Sequence, residues 1–104
     1  MDKPTIVING VRVEPANPKM KVWREFQRSI ENDLYNKRLD EFLQEHIRLI
    51  IIAFGKPDVV NEDSIDENLE ISEVVPLFRK LFIWLQAVIF ERTVKFPNEE
   101  REKE

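Results

Sequence analysis

The chain has 104 residues and a net charge of −4, with 42% hydrophobic and 35% charged residues. That balance fits one globular domain with a modest core and excludes a disordered chain. The absence of cysteine excludes disulfides, thiolate nucleophiles and zinc–thiolate sites, and the acidic balance argues against nucleic acid as the main partner.

No basic-then-apolar signal opens the chain at Met1-Asp2-Lys3-Pro4, so a cytoplasmic protein is the expectation. Thr5-Ile6-Val7-Ile8, Asn9-Gly10 and Val11-Arg12-Val13-Glu14 read as a β-hairpin. Asn-Gly accepts the positive φ angles of a type I′ turn. That turn pairs Ile8 with Val11 and Ile6 with Val13, placing all four on one face, with Val7 and Arg12 on the other. A lone hairpin is marginal in water, so its apolar face must rest on something else.

A first helix is expected from Pro18 or Lys19 to about Tyr35 or Asn36, capped by Asn17 with Pro18 at the first helical position. Trp23, Phe26, Ile30 and Leu34 form its inner side. A second runs from about Lys37 to Phe54, with Leu39, Phe42, Leu43, Ile47, Ile50 and Phe54 inward. Gly55 stops it and Pro57 prevents continuation. Asp58 to Glu73 contains acidic residues and no basic ones, with a short helix at Glu62–Leu69. Ser72 then caps a third long helix running through Phe90 and as far as Val94, with Pro76 tolerated in its first turn.

The expected fold is mainly α: three long helices, a short one, and the N-terminal hairpin packed on them. Residues 1–96 form the domain, with the hairpin at 5–14, and 97–104 a charged flexible tail. The apolar run Leu81 to Phe90 contains Gln86 and is too short to span a bilayer.

Rotation by about 100° per residue places Val74, Phe78, Leu81, Leu85 and Val88 of the third helix on one stripe, flanked by Leu77, Trp84 and Ile89. Ile83 and Phe90 fall opposite, among Arg79, Gln86, Lys80 and Glu91, with Phe82 and Val75 at the margin. On the second helix Ile52 falls among Glu41, Glu45 and Arg48, away from the inner stripe. Burying one large apolar side chain contributes roughly 1.5–3 kcal/mol, so outward ones forfeit stability unless covered. Either the third helix is central and covered by its own domain, or Ile52, Phe82, Ile83 and Phe90 form a partner or subunit interface.

Catalysis needs positioned titratable groups or an activated nucleophile. His46, the only histidine, falls on the inner half of the second helix and reads as a core-edge residue with a local hydrogen bond. Asp40, Glu41 and Glu45 read as a solvated face paired with Arg38 or Arg48. The acidic segment lacks the glycine and ligand spacing of an EF-hand and reads as a solvated connector. Gly10 and Gly55 are the only glycines, which leaves no phosphate-cradling loop. Lys19, Lys21, Arg24 and Arg28 read as solvated surface, with nucleic-acid contact the lesser alternative. No enzyme, cofactor or metal is expected.

The order of parts is specific. A hairpin precedes the helix start Lys21-Val22-Trp23-Arg24. A second helix ends in His46-Ile47-Arg48-Leu49-Ile50-Ile51-Ile52-Ala53-Phe54-Gly55. An acidic stretch with Asp66-Glu67-Asn68-Leu69-Glu70-Ile71-Ser72-Glu73-Val74-Val75-Pro76 leads into a long apolar helix. This arrangement, nearly the whole chain up to about Phe90, resembles the tail assembly chaperones of long-tailed bacteriophages and prophages of Gram-positive hosts. The resemblance implies a protein of the host cytoplasm, absent from the mature virion, that binds the tape measure protein and recruits tail tube subunits. It implies no catalytic residues, and it allows a longer frameshifted form diverging near the charged end. A homo-oligomer is expected, since self-association hides apolar surface before a client arrives. The competing readings are a small structural or head–tail connector protein and, behind it, a nucleic-acid-binding regulator.

Overall fold

The computed structural model describes residues 3–95, with side chains placed for 3–91. Strands β1 (Ile6–Ile8) and β2 (Val11–Val13) pair antiparallel in the expected register, Ile6 with Val13 and Ile8 with Val11. Asn9 and Gly10, at φ 51° and 81°, supply the two left-handed residues of the turn. Ile6, Ile8 and Val13 are buried, but Val11, expected on the same buried face, is exposed. It lies on the outer strand beside the turn, whereas β1 is the strand laid against the short helix α3 (Glu62–Asn68). The Asn9 N–H donates to Asn68 Oδ1 at 2.8 Å and ties the turn to that helix.

Helix α1 (Met20–Glu31) starts and stops inside its expected bounds. Asn17 is not its cap. Lys19 takes that position without a side-chain cap, because the Ala16 N–H donates to the Phe54 carbonyl at 2.9 Å and draws Asn17 and Pro18 into the connection. At the other end Asp33 turns left-handed at φ 61°, a conformation Asp tolerates better than most residues. Leu34 still reaches the core, from a 3-10 turn at Leu34–Asn36.

Helix α2 (Leu39–Phe54) runs antiparallel to α1, since Ser29 meets Glu45 and Glu25 meets Arg48. Its buried line is His46, Leu49, Ile50, Ala53 and Phe54. The expected stripe is rotated from this: Phe42, Leu43 and Ile47 are half-buried, and Leu39 is 72% exposed because it lies beyond the end of α1. The rotation follows from α2 being the hub, touching α1, α3 and α4 (Val74–Lys95). Nor is α4 covered all round by its own domain, since Ile83 and Phe90 remain exposed on its outer side.

Gly55 closes α2 at φ 64°, its N–H donating to the Ile51 carbonyl at 3.1 Å. A Cβ there would lie 3.5 Å from the Ala16 Cβ, an ordinary contact. Gly55→Ala is therefore expected to cost only the left-handed backbone penalty, about 1–2 kcal/mol, measured by urea unfolding. A loss several times larger would refute that reading of the site.

Helix α3 opens with a reciprocal cap: the Ser64 N–H donates to Asn61 Oδ1 and the Asn61 N–H to Ser64 Oγ, both at 2.9 Å. Ile65 anchors it in the core. Ser72 does not cap α4. A 3-10 turn at Ile71–Glu73 precedes the helix, and the Glu70 N–H donates to the Glu73 carboxylate at 2.9 Å, so this pair takes the capping role.

The core closes on an aromatic stack between α1 and α4. Phe26 stacks on Phe78 and Phe82 at 5.3 and 6.0 Å, and Trp23 on Phe82 at 5.7 Å. As α4 advances, its partners on α1 recede, so α4 runs antiparallel to α1 and parallel to α2.

Candidate functional site

The pairing of Trp23 with Phe82 sets where α4 runs out of neighbours. Met20, the first residue of α1, lies level with about Leu85. From there α4 continues to Lys95, roughly 15 Å at 1.5 Å per residue, past the start of α1. On the inner side Val74, Leu77, Phe78, Leu81, Trp84 and Leu85 are buried, and Val88 packs partly against the same core. On the outer side Ile83 and Phe90 are 52% and 61% exposed, with Arg79, Lys80, Gln86 and Glu91 exposed around them.

These two share one surface. The other two candidates do not belong to it. Phe82 is half-buried and committed to the stack with Trp23, Phe26 and Phe78. Ile52 is half-buried and packs against the core. Ile89 was missed: rotation puts it beside the buried stripe, yet it is 46% exposed because it lies on the overhang. Helical periodicity carries no signal for that, since exposure there depends on where other helices stop.

On the far side of the hub an ionic clamp joins α1 to α2. Arg48 donates to Glu45 at 2.7 Å and to Glu25 at 3.0 Å, Arg28 pairs with Glu25, and the buried Ser29 hydroxyl donates to Glu45 at 2.7 Å. The Arg48 hydrogen bonds hold the Glu25 and Glu45 carboxyls below the usual range, against the opposing effect of burial, and the same bonds raise Arg48. Arg38 pairs with Asp40 at 3.7 Å. The clamp fixes the two helices and engages Arg28, leaving Lys19, Lys21 and Arg24 as exposed cations of the expected basic cluster.

His46 is fully buried, deeper than a core-edge position. Its Nδ1 lies 2.8 Å from the Phe42 carbonyl, which only accepts, so the proton sits on Nδ1. Nε2 has no partner, and the ring abuts Phe42 at 4.3 Å and Phe78 at 4.4 Å. Desolvation lowers its pKa. With no second titratable group bonded to it and no solvent access, the imidazole is a packing element between α2 and α4.

Comparison with protein-family models, curated proteins and solved structures returns no match to this chain. The site therefore rests on its own geometry. Among the described residues no group of three or more His, Cys, Asp or Glu side chains could hold a metal ion, and no helix is long and apolar enough to cross a membrane. The expected charged tail, 97–104, lies outside the described residues.

Proposed function

We propose that this chain is a tail assembly chaperone that holds an apolar, helical client on the outer face of α4. The observation that carries the reading is the joint exposure of Ile83 and Phe90 on one helical face edged by charge. Isolated exposed apolar residues are commonplace; two large ones a heptad apart on a helix make the strip that another helix can pack on. The resemblance in the order of elements names the client as the tape measure protein, with tail tube subunits recruited afterwards. It also implies a protein of the host cytoplasm that is absent from the finished virion.

The test is copurification of the coexpressed chain and tape measure protein encoded by the same genome. The double variant Ile83→Glu/Phe90→Glu should weaken the complex by about tenfold or more. Both positions are exposed, so the melting temperature should move little. Undiminished binding by a folded double variant would defeat the assignment of the face. Abundant chain in purified virions would favour the connector reading instead.

A further inference from the structure

We propose that Tyr35 is a lid over His46: its ring swings into solvent when the imidazole takes a second proton, so the folded chain changes charge without unfolding. His46 is fully buried and gives its Nδ1 proton to the Phe42 carbonyl at 2.8 Å. Nε2 is buried with no hydrogen-bond partner among the described residues. A proton added there makes a buried, unpaired charge, which is costly unless water or an acceptor reaches it. One of the groups around the ring must therefore yield.

Among the described residues three aromatic rings meet the imidazole, and they are held with unequal firmness. Phe78 of α4 abuts it at 4.4 Å and is itself fully buried. Moving Phe78 means lifting α4, which also buries Val74, Leu77, Leu81, Trp84 and Leu85. Phe42 packs closer still, at 4.3 Å, half-buried on α2 one turn before His46. Tyr35 is the loose member. It meets the imidazole edge-on at 6.4 Å and is 55% exposed. Its neighbour Leu34 is fully buried and pins the 3-10 turn that carries both. The backbone can thus stay in place while the Tyr35 side chain changes rotamer, a fast event for an exposed residue.

The charges around the site oppose one another. Glu45 of α2 favours the second proton, and its bonds to Arg48 and Ser29 keep it ionised. Arg79 of α4 disfavours that proton. From the turn comes the Tyr35 ring. Burial outweighs both charges, so admitting water is what changes the balance. With Tyr35 closed, the imidazole stays neutral and dry. With Tyr35 open, Nε2–H donates to water and the site carries a positive charge.

His46 is the only histidine, so an NMR titration of its ring reads one site in the intact chain. In the wild type the Tyr35 ring signals should shift with the same midpoint as His46, while circular dichroism shows the helices intact. Tyr35→Ala removes the cover and should move the midpoint up toward the ordinary 6.5. Tyr35→Phe keeps the ring and should leave the midpoint near that of the wild type. The alanine variant should also lose less stability on acidification, since its folded and unfolded histidines titrate closer together. An unchanged midpoint in Tyr35→Ala would overturn the proposal, as would a Tyr35→Phe midpoint raised as far as the alanine variant's. So would Tyr35 signals that ignore the titration, or a wild type that unfolds before His46 titrates. The last two outcomes need no variant, so they stand even if Tyr35→Ala fails to fold. Failure here leaves the copurification test untouched, because Tyr35 and His46 lie outside the Ile83 and Phe90 face.

Discussion

Phe78→Ala is expected to lower folding stability by about 3–5 kcal/mol, the range for removing a buried aromatic ring. Phe78 is fully buried and joins α4 to the other two long helices. It stacks on Phe26 of α1 at 5.3 Å, meets the His46 ring of α2 at 4.4 Å, and belongs to α4. The cavity left by its removal cannot close by a small shift, because the three helices line it from separate directions. Domains of this class have about 5–15 kcal/mol in total, so the variant gives up a large share of that and its urea midpoint should fall well below the wild type's. Chemical denaturation of Phe78→Ala beside Phe78→Leu measures this. A loss near 1 kcal/mol for the alanine variant would show that the stack does not organise the core.

The second large effect is on pH. His46 has its folded-state pKa lowered from the ordinary 6.5 by desolvation, with Arg79 of α4 pressing the same way. The Phe42 carbonyl and Glu45 of α2 itself oppose this; from the 3-10 turn, the Tyr35 ring meets His46 edge-on at 6.4 Å. A second proton would have to sit on Nε2, which has no acceptor. Below pH 6.5 the unfolded chain takes that proton and the folded chain resists it. Stability is therefore complete above this range and declines as pH falls, with a slope approaching one proton, about 1.4 kcal/mol per pH unit. The decline stops where the folded histidine itself protonates.

Glu25 and Glu45 act in a separate window. Their carboxyls are held below the ordinary 4.5, so the clamp to Arg48 is intact above that pH and lost as pH falls through the lowered values. His46→Phe should thus flatten the unfolding profile between about pH 7 and 5 while leaving the acid limb. Parallel profiles for wild type and variant in that interval would show that His46 is not the group responsible.

What the chain announces in advance, and what it conceals, divides along local and non-local lines. Asn9-Gly10 dictates a two-residue turn whatever surrounds it, and the register follows. Gly55 likewise ends α2 by its own backbone freedom. Periodicity located the outer pair Ile83 and Phe90, because α4 is long enough for rotation to separate its faces. It mistook Leu39 for core, since apolar character cannot reveal that a helix terminus lies past its neighbour. The Asn17 and Ser72 caps failed for a related reason. Each is a good capping residue, but Ala16 bonded to Phe54 and the Glu70–Glu73 pair took over the two helix starts. Ile89 and the hub position of α2 depend on which helix lies alongside which, information spread over Trp23, Phe82, Ser29 and Glu45 and visible in none of them singly.

The place of α4 at the end of the described chain bears on synthesis. During translation α1 and α2 emerge first and are joined by the Arg48 clamp near one another in sequence. The rings that complete their packing, Phe78 and Phe82, leave the ribosome well after them. Until they arrive, Phe26 and His46 have no lid, so the nascent hairpin-and-helix half is greasy and open for as long as it takes to make roughly thirty further residues, a few seconds at ordinary elongation rates. Closure of this core is therefore tied to the emergence of α4, and a ribosome stalled just short of it would present a half-built core to whatever lies nearby.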